Sequence, residues 1–160
     1  MLDKIRAAVR GTLTAADIFE NLVDVYGDRE ALAHPVTACR RGFPSERITL
    51  GDCLRFTDLA AEALIREPDL RKGERVIMLI DDPAELLLVS LAAVKAGAIA
   101  VPLDASLGGG EMGRLAEGCG AALALADGRL LAARPELTEA LARRGRLMAC
   151  GPREEGPGGV

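Results

Sequence analysis

Residues 75–104 read RVIMLIDDPAELLLVSLAAVKAGAIAVPLD, and the order of polarity within them decides the fold. RVIMLI (75–80) is an almost unbroken apolar run with no polar alternation, the pattern of a strand buried on both faces as in a parallel sheet. The next residues open a helix. Asp82 can cap it, Pro83 fits N1 because no N–H is needed there, and Glu85 completes a capping box. The helix that follows is apolar almost all round. Lys95 sits in its last turn, where a cation suits the negative end of the helix dipole, and Gly97 closes it. AIAVPL (98–103) is a second strand. Pro102, lacking an N–H, belongs at a strand end or on an edge, and Asp104 is expected to fix the exit turn through backbone hydrogen bonds.

Working outward, a short helix is expected around Glu111–Glu117 and a third apolar strand at AALALA (121–126). Strand, helix, strand, helix, strand at these spacings is a βαβαβ unit, with crossovers expected to be right-handed. Upstream, TAAD (Thr14, Asp17) and TLGD (Thr49, Asp52) are capping boxes for helices over 15–26 and 50–66. The first stops at Gly27 and the second before Pro68. Downstream, a weaker helix over 135–144 stops at Gly145, and RLMAC can begin another strand. The predicted organisation is an extension over 1–13, an incomplete α/β subdomain over 14–150, and a disordered Gly/Pro-rich tail, GPREEGPGGV, over 151–160.

Composition narrows function. The 160 residues suit one domain, and with only 2% aromatics the 49% hydrophobic fraction implies an aliphatic core. A net charge of −4 gives no basic stripe for nucleic acid. Cys39, Cys53, Cys119 and Cys150 form no C-x-x-C pair and His34 is the single histidine, so no zinc site is expected and the cysteines read as reduced, mostly buried thiols. The amino-terminal MLDKIRAAVRGTL lacks the apolar core of a secretory signal. The longest stretch free of charge and proline falls far short of the ~20 residues that span a bilayer. A cytoplasmic protein without a membrane span is expected.

Each charged cluster has a structural reading. Asp81 and Asp82 could be the paired acids of a receiver domain, but no lysine follows a strand in the order such a domain needs. A dinucleotide fold needs G-x-G-x-x-G after the first strand, and DDPAE would instead repel a phosphate. GGG (108–110) could form an anion nest, yet no Lys-Ser or Lys-Thr follows it, and it reads as a flexible connection. YGDRE (26–30) reads as a helix stop, His34 as a strand-end or surface residue, and Arg40–Arg41 as a solvated loop.

In order along the chain, these segments resemble the N-terminal region of the adenylate-forming superfamily: acyl-CoA synthetases, peptide-synthetase adenylation domains and luciferases. ITLGDCLRFTDLAAEAL (48–64) is similar to the strand-and-helix region written L-T-Y-x-E-L. DLRKGERVIMLIDDPAELLLVSLAAVKAGAIAVPLDASL (69–107) resembles a G-D-x-V strand, N-x-P-E, and L-K-A-G-A-x-x-V-P-L-D-P. Gly73, Pro83, Glu85, Lys95, Ala96, Gly97, Val101, Pro102 and Asp104 fall on that pattern. GCGAALALAD (118–127) is similar to S-G-A-x-x-L-x-x-D.

The resemblance implies a family that activates carboxylic acids with ATP and passes the acyl group to a thiol, so ATP, Mg and CoA are implied for a complete member. The family's Ser/Thr/Gly-rich phosphate loop, Tyr-Gly-x-Thr-Glu turn, ribose-binding aspartate and C-terminal lysine have no counterpart in this sequence. No catalytic, cofactor-binding or metal residue is therefore assigned. Asp82, Pro83, Glu85, Lys95, Gly97, Pro102 and Asp104 are family-motif residues with structural roles. The expectation is a fragment or split piece of an acyl-CoA-synthetase-like ligase, inactive alone and without a cofactor of its own. Its partner would be the missing remainder of the ligase or a second copy. The alternative is a non-catalytic interaction module derived from the same subdomain.

Overall fold

A computed structural model describes residues 14–32, 47–66, 70–143 and 146–150. The expected extension and tail, His34, Cys39, Arg40, Arg41, Pro68 and Gly145 lie outside the described residues.

The sheet is parallel and α/β, as the apolar runs require. Its strands are β3 (Arg75–Leu79), β4 (Ile99–Pro102), β5 (Leu123–Asp127) and β6 (Arg146–Cys150), in the order β4-β3-β5-β6. Arg75 pairs with Ile99, Val76 with Leu123, and Leu123 with Arg146, all in parallel register. Two-residue alternation sends Val76, Met78, Leu123 and Leu125 into one apolar cluster and Ile77, Leu79, Ala124 and Ala126 into another. The central strands are thus buried on both faces.

Helices cover each face. On the first lie α2 (Leu50–Arg66) and α3 (Pro83–Lys95), contributing Leu64, Val89 and Ala93. On the second lie α4 (Gly109–Cys119) and α6 (Pro135–Ala142), contributing Met112, Ala116, Leu137 and Leu141. A third cluster, Phe19, Ile48, Cys53 and Leu88, lies outside the first layer. It packs α1 (Ile18–Tyr26) and a small antiparallel ribbon, β1 (Glu30–Leu32) with β2 (Ile48–Thr49), against α2 and α3. Burial of α3 against the sheet, α2 and α1 accounts for its apolar residues on nearly every side.

The helix ends follow the local chemistry. Thr49 and Asp52 form a reciprocal box: the Asp52 N–H donates to Thr49 Oγ1 and the Thr49 N–H to Asp52 Oδ2, both at 3.1 Å. At Thr14 the N–H reaches Asp17 Oδ2 at 3.1 Å, but the first turn, Ala15–Asp17, is 3-10 and runs into α1. α3 ends in a Schellman motif, with Gly97 (φ 84°) donating to the Val94 carbonyl and Ala98 to that of Ala93, both at 2.9 Å. The Gly73 N–H then donates to the Gly97 carbonyl at 2.8 Å, and Gly73 also has positive φ, 83°.

Two expectations are corrected. GGG is no flexible connection: Gly109 and Gly110 are the first residues of α4, capped by Gly108. A Cβ on Gly109 would lie 3.1 Å from the Glu136 carbonyl oxygen at the start of α6. Gly113, one turn on, faces the Ala140 methyl at 3.8 Å. Small residues are there to let two helices approach. The second correction is an added helix, α5 (Gly128–Ala133), between β5 and α6, too short to show a sequence period.

Candidate functional site at the carboxyl end of the sheet

Open parallel sheets place ligands outside the carboxyl ends of their strands, and the turns after β3, β4 and β5 all lie there. Each carries an aspartate, and each aspartate closes its own turn. Asp82 Oδ1 accepts from the N–H groups of Ala84 and Glu85, both at 2.9 Å. Asp104 Oδ1 accepts from the Ser106 N–H at 2.8 Å, and Asp127 Oδ1 from the Arg129 N–H at 2.8 Å. Hydrogen bonds from Ser106 hold the Asp104 carboxyl below the usual carboxylate range.

This has a direct chemical meaning. Phosphate binds at a helix start through free backbone N–H groups and a favourable dipole. Here the first amides of α3 and α5 already donate to carboxylates, and Asp81 adds another carboxylate beside Asp82. The starts of α3 and α5 therefore offer a nucleotide phosphate few free amides. Among the described residues no group of His, Cys, Asp and Glu is arranged to hold a metal ion.

The thiols are equally unsuited to acyl transfer. Cys150, register-paired with Asp127 at the end of β6, is pushed up to about 12 by burial, with the nearby Glu85 and Asp127 carboxylates adding to it. Burial pushes Cys53 up to about 11, helped by Asp52. A thiolate is the nucleophilic form, so neither is activated. Glu85 itself lies in the third position of α3, only 3% exposed.

The motif residues do not converge on one point. Asp82, Pro83, Glu85, Pro102 and Asp104 sit at the carboxyl end. Lys95 and Gly97 sit at the opposite end, where α3 turns into β4. Lys95 is more than a dipole partner. Its ammonium reaches Asp58 of α2 and, at 3.4 Å, Glu20 of α1, with only 17% of its side chain exposed. Burial pulls its pKa down, but the two carboxylates outweigh this and the net shift is upward. Sequence reasoning could not find these partners, which lie 37 and 75 residues away.

Asp28 was also missed. In the turn after Gly27 it accepts from the Gly51 N–H at 2.9 Å and so supports the start of α2. Hydrogen bonds from Thr49 and Gly51 hold its carboxyl low. YGDRE is thus a helix stop, with Gly27 at φ 71°, followed by a long-range cap.

What the arrangement provides is a parallel sheet whose turns at this end are closed by their own aspartates. The profile of the AMP-binding enzyme family matches residues 19–154. The chain belongs to that family. A search of the curated proteins finds no match. Among solved structures, a protein from Rhodopseudomonas palustris CGA009 classed as a long-chain-fatty-acid CoA ligase is similar over 91% of this chain and 34% of its own, with 23% identity and a TM-score of 0.69. The anthranilate CoA ligase AuaEII, in complex with anthranoyl-AMP, is similar over 84% of this chain and 24% of its own, with 24% identity and a TM-score of 0.66. The N-terminal subdomain of NpsA from Klebsiella oxytoca is similar over 84% of this chain and 30% of that one, with 23% identity and a TM-score of 0.62. This member of the family thus has the fold of an adenylate-forming N-terminal subdomain and spans a quarter to a third of these neighbours. No helix among its described residues is long and apolar enough to cross a membrane.

Proposed function

We propose that this chain supplies the N-terminal α/β portion of a cytoplasmic, acyl-CoA-synthetase-like AMP-forming ligase and does not activate acids by itself. The observation that carries this reading is the family match over residues 19–154 joined to turns whose amides are already committed to Asp82, Asp104 and Asp127. Such turns hold the sheet together and leave phosphate binding to other segments. ATP, Mg and CoA would then be bound by a polypeptide carrying the Ser/Thr/Gly-rich loop, the Tyr-Gly-x-Thr-Glu turn and the C-terminal lysine.

The test is ATP–pyrophosphate exchange with a panel of fatty, aryl and amino acids. The 160-residue chain alone is expected to give no exchange above a no-enzyme control. Co-expression with a polypeptide bearing the remaining family motifs is expected to restore exchange. Robust turnover by the chain alone would overturn the proposal, as would a purified two-chain complex that remains inert towards every acid class.

A further inference from the structure

The turn after β4 is held from two sides. From within, Asp104 shapes it: Oδ1 accepts the Ser106 N–H at 2.8 Å and the carbonyl accepts the Leu107 N–H at 3.2 Å. From outside, Arg134 reaches it across 27 and 29 residues of chain. Arg134 Nη2 donates to the Leu107 carbonyl at 2.8 Å, and Nη1 donates to that of Ala105. Nε donates to Glu136 Oε1 at 2.9 Å, so all three guanidinium nitrogens are engaged. Only 26% of the side chain is exposed. A rigid planar fork can span two carbonyls while a carboxylate fixes its tilt, and a single ammonium cannot.

The backbone of the same residue is a second junction. Arg134 ends α5 and begins α6. Its N–H closes α5 on the Leu130 carbonyl at 3.0 Å, and its carbonyl accepts the Leu137 N–H of α6 at 3.0 Å. The two segments also share apolar packing, since Ala105 and Leu107 of the turn and Leu130 and Leu131 of α5 rest against one cluster. Both segments lead away from the carboxyl ends of their strands, where open sheets place ligands.

We infer that Arg134 is a positioning residue that couples the turn after β4 to the α5–α6 junction, so that these two segments open and close as one unit. Neither can move away from the other without breaking bonds to the guanidinium. Coupling of this kind is reciprocal, and a change on either side is felt on the other. The inference does not depend on the ligase reading, because the coupling needs no ATP, acid or second polypeptide.

Hydrogen–deuterium exchange of the full chain, read by peptide mass, tests it. Arg134→Ala is expected to speed exchange in residues 103–108 and 128–137 by about ten- to a hundredfold, the weight of hydrogen bonds to a charged group. Peptides from β3 and α2 should keep the parent rates. Asp104→Ala disturbs only the first segment directly, yet it is expected to speed exchange in 128–137 as well. Should Arg134→Ala not fold, Arg134→Lys keeps the test open: it preserves the charge without the fork and should loosen both segments. An Asp104→Ala increase confined to 103–108 would overturn the inference. So would Arg134 variants with parent rates in either segment, or with exchange raised evenly along the whole chain, since Arg134 would then couple nothing in particular.

Discussion

The two faces of the sheet are packed by different means. On one, bulky aliphatics of α2 and α3 meet the strands, and Lys95 ties α3 to α1 and α2 through Glu20 and Asp58. On the other, α4 and α6 approach through Gly109, Gly113, Ala116 and Ala140, and Arg134 clamps the turn after β4. Its guanidinium donates to the carbonyl of Leu107 at 2.8 Å and also to that of Ala105. The first face depends on side-chain bulk and charge. The second depends on the absence of side chains, so it should tolerate added volume less.

The largest expected effect breaks the second face. Gly109→Ala pushes a methyl against the Glu136 carbonyl and should destabilise by about 1–3 kcal/mol, as overpacking does. Gly113→Ala, with ordinary contact distance to Ala140, should instead stabilise by about 0.4–1 kcal/mol through the entropy of the unfolded chain. Urea unfolding of both variants checks the pair. Two losses of equal size would mean that α4 and α6 are crowded along their whole length and not at one point.

A smaller effect is expected on the first face. Lys95→Met keeps the buried stem and removes the charge, and should cost about 0.5–1 kcal/mol because both carboxylates are half-exposed and screened. Added salt should shrink the difference. Because the folded pKa of Lys95 is raised, its contribution is complete below the unfolded value of about 10.4 and fades as pH climbs through the higher folded one. Thermal melts of parent and variant should therefore converge in strong alkali; a gap that persists there would assign the loss to packing.

The smallest effect lies at the carboxyl end. Asp104→Ala should lower the melting temperature slightly at neutral pH. The folded pKa of Asp104 is depressed, so its contribution is present above the unfolded value of about 3.9 and lost as pH falls through the lower folded one. Parent and variant should melt together in acid. An unchanged melting temperature at neutral pH would remove Asp104 from the turn.

The first face was largely legible in the sequence and the second was not, for a physical reason. Asp82-Pro83, Val76–Ile80 and Lys95-Ala96-Gly97 signal through local chemistry: a cap, a buried strand, a helix stop. α2 spans 50–66 as its box and apolar stripe predict. By contrast, three consecutive glycines carry low helix propensity, and only the close approach of α6 explains why Gly109 sits in a helix. The roles of Lys95 and Asp28 were hidden for the same reason. Their partners are tertiary, and no local period brings Glu20, Asp58 or Gly51 beside them. The strand order β4-β3-β5-β6 likewise depends on which crossover goes to which side.

The absence of a catalytic assignment has a local cause as well. Asp82, Asp104 and Asp127 look like chemistry when read as isolated charges at strand ends. Their hydrogen bonds to the second amide onward show one turn device used three times.

The hydrogen bond between Gly73 and Gly97 bears on where this chain can change length. Both glycines use positive φ, and together they join the turn into β3 to the turn into β4. One residue inserted in either turn would slide β3 against β4 by one position and send each apolar side chain to the opposite face. Lengthening is therefore confined to the other end of the strands, where a longer loop adds only a slowly growing closure entropy. A protein engineer grafting a peptide into this scaffold should leave the amino-end turns intact.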